Sequence, residues 1–257
     1  MRTDKKLPPD GLDLLEQACK DAGISLMPLL AATCRWVDPE TFRRLPIWYP
    51  EYYRGAPMFD AKYERQYTNK KRGGSEVSLK TEPNIQAGKA IRQAMGIPVS
   101  WRGYNWTVCH IWGIDDPAFQ QSNIIVRDPC YYSCVGNMVL LPTPLKALTD
   151  SVPEVKHMLR VCAYNLYGWL PIVPEAPDLV ERVDLVRSGE VFSDYPQSWP
   201  RTLGEKLPPG TMRYNSDVEA EIQRRKREIK LKLESQSHPL YPRDSVRRVL
   251  KFWRIEL

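Results

Sequence analysis

The order of elements between residues 100 and 152 constrains this chain more than any other feature. "NWTVCHIW" (105–112) is rich in residues that favour extended structure and stops on a Cys-His pair. "YYSCVGNMVLLP" (131–142) reads as a second strand entered through an Asn. "GIDDPAFQQSN" between them carries turn chemistry, and "IIVRDP" reads as a short strand or loop. A "PTP" break then leads into a helix starting at "PLKALTDS". Strand, loop, strand and helix in this order fold as a hairpin packed on a helix, which would make His110 and Asn137 neighbours.

The flanks read mostly as helix. "DGLDLLEQACKDAG" has helical apolar spacing and stops at Gly23, "SLMPLLAATCRWV" reads as a second helix, and "DPETFRRL" as a third capped by Asp38. "EPNIQAGKAIRQAMGI" predicts a helix ending at Gly96, and "VPEVKHMLRVCAYNLYGWL" one closing near Gly168. Residues 171–214 are Pro-rich and predict a long connection with little regular structure. "SDVEAEIQRRKREIKLKLESQ" starts with Ser216 and Glu219 in capping-box spacing and continues as a highly charged helix. The expectation is an α+β chain in three parts: an N-terminal helical region with a basic and aromatic loop (1–98), a ββα core with the following helix (99–170), and a Pro-rich connection leading to a basic helical region (171–257).

No run approaches the roughly 20 apolar residues of a membrane span, and the start lacks the apolar stretch of a secretion signal, so a cytoplasmic protein with no membrane partner is expected. Six Cys are too sparse for a disulfide scaffold and read as buried thiols. Cys109, Cys130 and Cys134 crowd around His110 and with it offer four ligands for a structural Zn²⁺, against the alternative that they too are small core residues. A zinc-bound His110 could not act as a base, so the two readings exclude each other.

Of the formal net charge of +6, +5 falls in residues 211–257. Arg224, Arg225, Arg227 and Lys230 are the candidates there for phosphate contacts, against the alternative of a solvated helix whose acids pair with its bases. A second candidate is "PIWYPEYYRGAPMFDAKYERQYTNKKRGG", where Lys70, Lys71 and Arg72 follow interleaved aromatics that can stack on bases. The alternative is a loop-rich surface whose aromatics anchor it to the core. His157 reads as structural or surface, and His238 as a solvated turn residue.

A His near neutral pKa can take a proton from water during phosphodiester hydrolysis, while a carbonyl oxygen such as that of an Asn side chain fixes the ring. "CHIW", then "GNMVLLP" and a helix, resembles the HNH nucleases of the ββα-metal class over about residues 100–152. The resemblance implies a DNA endonuclease, with a restriction or defence role, in which His110 is the general base and Asn137 orients it. It also implies Mg²⁺ or Mn²⁺ and double-stranded DNA as partner, and a palindromic target would imply a homodimer. The family's helical metal ligand falls near Leu145 or Lys146, which suit a hard cation poorly. Asp150 is the nearest oxygen donor, with Cys109 and Asp116 as further metal candidates. A non-catalytic nucleic-acid binder and a zinc-stabilised interaction protein are the rival functions.

Overall fold

The computed structural model describes residues 10–60, 63–70, 77–98, 100–101, 103–113, 124–172 and 177–257. Asp116, Lys71 and Arg72 lie outside these, as does the side chain of Lys70.

The architecture is a mixed α/β one in which helices surround small two-stranded sheets. Helices α1 (Gly11–Asp21), α2 (Leu26–Thr33) and α3 (Pro39–Arg44) form the N-terminal part, with strand β1 (Trp36–Val37) between the last two. The expected cap of α3 is present, Asp38 Oδ1 accepting the Glu40 amide at 2.8 Å. The second expected helix is shorter than its apolar run, because its last residues leave the helix to make β1. Strand β2 (Thr68–Lys70) pairs antiparallel with β3 (Val77–Leu79), and α4 (Ile85–Ala94) follows.

The expected hairpin is formed by β4 (Trp106–His110) and β5 (Met138–Pro142), antiparallel with His110 opposite Met138. Its second strand is shorter than the sequence predicts. Residues 124–127 form a helical turn, α5 (Ile124–Arg127), and a 3₁₀ turn over Val135–Asn137 enters β5. Then come α6 (Lys146–Ser151) and α7 (Pro153–Tyr167), which closes on left-handed Gly168 as predicted.

The Pro-rich region departs from expectation, since α8 (Pro177–Arg187) and β6 (Thr211–Met212) lie within it. Strand β6 runs parallel to β1 and ties the C-terminal part to the N-terminal one. This pairing needs Gly210: its φ is +77°, and a Cβ there would sit 2.2 Å from the Cys34 carbonyl oxygen. Helices α9 (Ser216–Glu234) and α10 (Arg243–Trp253) complete the chain. The α9 cap is Asn215, one residue before the predicted Ser216, with its Oδ1 accepting from Asp217 and Val218 at 3.0 Å each. Glu219 instead accepts from the Tyr214 hydroxyl at 2.6 Å.

All three expected parts feed one hydrophobic core, from Leu30 and Trp36 through Val139 and Leu159 to Ile222 and Val249. Burial on this scale is the main source of stability. The hairpin packs against α4 and α6, and the 3₁₀ turn entering β5 packs against α7, which holds the end of β4 in a fixed position.

Candidate functional site

His110 ends β4 and is only 7% exposed. Its Nε2 lies 2.8 Å from the main-chain carbonyl oxygen of Tyr132, and its ring sits against the Tyr132 ring with centroids 5.4 Å apart. A carbonyl can only accept, so Nε2 carries the proton and Nδ1 keeps its lone pair. Among the described residues Nδ1 has no hydrogen-bond partner.

Burial lowers the His110 pKa to about 4, against the opposing effect of the Tyr132 carbonyl, and the nearby charges of Arg54, Lys156 and Lys146 lower it further. The ring is therefore neutral at physiological pH. Those three cations come from different places: Arg54 from the loop after α3, Lys146 from the start of α6, and Lys156 from α7.

Asn137 is fully buried and holds the loop that begins at His110. Its Oδ1 accepts the Trp112 amide at 2.7 Å, and its Nδ2 donates to the Trp112 carbonyl at 3.3 Å. Its main-chain carbonyl accepts from the Ile111 amide at 2.9 Å. The expected role needs a correction at this point, because the carbonyl that fixes the imidazole belongs to Tyr132. Asn137 acts on the backbone of Ile111 and Trp112, and so positions His110 through the chain. Gly136 beside it must be small, since a Cβ would come within 2.8 Å of the Phe42 ring.

Among the described residues, Cys109 and Asp150 do not come together in a metal centre. Cys109 points to α6, its Sγ 3.2 Å from Thr149 Oγ1, and burial raises its pKa. The Asp150 carboxylate is engaged by the Lys146 ammonium one helical turn away, and by Thr149 Oγ1 at 3.3 Å. Asp116 lies outside the described residues. Among the described residues no group of three His, Cys, Asp or Glu side chains is arranged to hold an ion. The same holds for the zinc set, all of it described: Cys130 and Cys134 are buried thiols whose pKa burial raises to about 12, and they do not gather with Cys109 and His110.

The nucleic-acid candidates divide. Arg225 is fully buried and belongs to the core rather than to a phosphate-facing surface. Its Nη2 donates to both Glu51 oxygens at 2.6 and 2.7 Å, its Nε donates to the Trp48 carbonyl at 2.6 Å, and its guanidinium lies 4.2 Å from the Tyr49 ring centroid. Arg224 is half exposed and pairs with Glu221 at 2.7 Å. Arg227 and Lys230 are exposed on α9. The structure thus gives both readings of this helix a share.

Sequence reading missed Lys156 and Arg160, which are buried on α7 at 2% and 1% exposure. Arg160 Nε donates to the Ile111 carbonyl at 3.3 Å, and its guanidinium lies over the Trp112 ring at 4.7 Å. Two cations one turn apart, beside the apolar stripe of an amphipathic helix, were the signal available. His157 is structural, its Nε2 held by the Glu190 carbonyl at 2.8 Å. His238 is half buried against the Tyr63 ring, 6.3 Å away, rather than solvated. No helix among the described residues is long and apolar enough to cross a membrane. Comparison with protein-family models, with curated proteins and with solved structures finds no match for the chain.

Proposed function

We propose that the chain hydrolyses phosphodiester bonds in DNA, as an endonuclease of HNH type with His110 as general base. One observation carries this reading: a neutral imidazole at a strand end has one nitrogen fixed by a main-chain carbonyl and the other with no hydrogen-bond partner among the described residues, with three cations close by. Fixing Nε2–H leaves Nδ1 as the proton acceptor, which is the geometry a base requires. A phosphodiester entering beside Arg54, Lys146 and Lys156 meets positive potential, and its own charge raises the proton affinity of His110. Water then gives one proton to Nδ1 as its oxygen bonds to phosphorus, one phosphorus–oxygen ester bond breaks, and the departing alkoxide takes a proton from solvent. The cations offset the negative charge that builds on the phosphoryl oxygens.

Asn137 and Tyr132 position the base without touching substrate. The exposed Arg227 and Lys230 on α9 supply sequence-independent backbone affinity in this reading. The test is cleavage of supercoiled plasmid, modified and unmodified, in Mg²⁺, in Mn²⁺ and with a chelator, by the wild type and by His110→Ala. The expected result is cleavage that His110→Ala reduces by at least 100-fold at unchanged DNA affinity. DNA binding with no cleavage under any condition would make the chain a binder and end the proposal.

A further inference from the structure

The aromatic and basic segment singled out in the sequence lines a cleft apart from His110. The cleft has a volume of about 510 Å³ and lies between that segment, α4 and α9. Phe59, Tyr63 and Tyr67 form its aromatic wall. Tyr63 is buried and held in the left-handed region at φ +57°, an uncommon conformation for a bulky side chain. Its hydroxyl donates to Glu51 Oε1 at 3.0 Å, and its ring packs against Phe59 at 5.5 Å and Tyr241 at 5.0 Å. Phe59 is partly exposed and Tyr67 is 42% exposed, so both present ring surface to an incoming group.

Charge decides what that group is. The carboxylates of the wall are matched, Glu51 by Arg225 at 2.6 Å, Glu228 by Lys232 at 2.7 Å, and Asp60 by Arg65 at 3.7 Å. Lys89 and Arg92 on α4 are not: among the described residues neither meets a carboxylate, and Arg92 Nε donates only to the Gly88 carbonyl of its own helix. Gln86 and Gln93 line the same side, the Gln93 amide held by the Tyr49 hydroxyl at 2.8 Å and by Glu221 at 3.3 Å. The cleft therefore offers ring faces for stacking, the Gln86 amide beside them, and two cations that meet no carboxylate among the described residues.

We infer that this cleft binds one nucleotide unit, its base against Tyr67 and Phe59 and its phosphate at Lys89 and Arg92. The volume is sufficient for a base, sugar and phosphate, and stacking on tyrosine is tolerant of base identity. A hydrogen-bonded chain runs from the strand end towards the helix that lines the cleft: His110 to the Tyr132 carbonyl, the Tyr132 hydroxyl to Glu82 Oε1 at 2.7 Å, and the main-chain N–H of Gln86 to Glu82 Oε1 at 2.9 Å. The inference goes beyond the cleavage proposal and does not rest on it, because binding requires no chemistry at His110.

The experiment is fluorescence titration with 2-aminopurine deoxyribonucleoside 5′-monophosphate, and with a short single strand carrying one 2-aminopurine, on the full chain. Both arms share the chemistry; a tighter strand assigns the cleft to nucleic acid, and equal affinity per nucleotide assigns it to free nucleotides. Tyr67→Ala, at an exposed position that leaves the core intact, is expected to weaken binding about tenfold or more. Lys89→Ala with Arg92→Ala is expected to weaken it further and flatten its salt dependence. His110→Ala should bind as the wild type does, so failure of the cleavage proposal leaves this result unchanged. Absence of binding in both arms, equal competition by inorganic phosphate alone, or wild-type affinity in Tyr67→Ala would overturn the inference.

Discussion

Replacing Arg225 by Met distinguishes a buried structural cation from a DNA contact. In the native chain the guanidinium is fully buried against Glu51, the Trp48 carbonyl, Glu228 at 3.0 Å and the Tyr49 ring. Burial alone would favour the neutral guanidine, but Glu51, Glu228 and Tyr49 outweigh it and raise the pKa above its ordinary value. Glu228 shows the reciprocal effect: burial favours its neutral form, but Arg225 and Lys232 prevail and bring it down to about 2. Methionine fills much of the same volume but removes the cation that faces the buried Glu51, leaving the neutral Tyr63 hydroxyl beside it. Breaking one side of such a pair costs about 3–5 kcal/mol. With an unfolding entropy of roughly 2.1 cal/mol/K per residue over 257 residues, the melting temperature should fall by about 6–9 °C. Calorimetry or urea unfolding measures this, and the double variant Glu51→Leu/Arg225→Met should recover most of the loss. DNA affinity of the folded protein and its salt dependence should not change. Wild-type stability with weakened, less salt-dependent DNA binding would refute the reasoning.

Other consequences concern the strand end. Asn137→Ala leaves the buried Trp112 amide and carbonyl without their partner and should cost about 2–4 kcal/mol in urea unfolding, with His110 displaced and cleavage lost in step. Since the folded chain holds His110 at about 4 against 6.5 when unfolded, the unfolded state takes the proton first. Stability is at its full value above pH 6.5 and should fall by up to about 3 kcal/mol as pH drops from 6.5 to 4. His110→Gln, whose carboxamide can still donate to Tyr132, should lose most of that slope, and an unchanged slope would contradict the burial of a neutral ring. For the same reason the acid limb of kcat/KM for DNA cleavage should lie well below pH 6.5.

The hairpin, α4, α7 and α9 were legible because each carries a local signal: extended-favouring residues up to His110, apolar periodicity, and caps or stops such as Gly168. The β1–β6 ladder was not, because two-residue strands so far apart in sequence leave no periodicity to read. Helix α8 was hidden by its Pro-rich surroundings, although Leu179, Val183 and Val186 recur at helical spacing and are all buried. The role of Arg225 was readable in principle. Val218, Ile222, Arg225 and Ile229 form the buried stripe of α9, so that arginine stands where an apolar residue belongs. At the site, the choice of His110 and Asn137 came from sequence order, but the partner of the imidazole did not. A main-chain carbonyl has no residue identity, so Tyr132 could be found only from coordinates.

The claim beneath the functional reading is that His110 rests as a neutral imidazole protonated on Nε2, with Nδ1 available to accept a proton. Nitrogen-15 NMR of the histidine-labelled protein, assigned through His110→Gln, reads this directly. The expected spectrum shows a neutral His110 with its proton on Nε2 at pH 7, unchanged down to about pH 5. An imidazolium at pH 7, or a proton on Nδ1, would leave no base at this position and contradict the account.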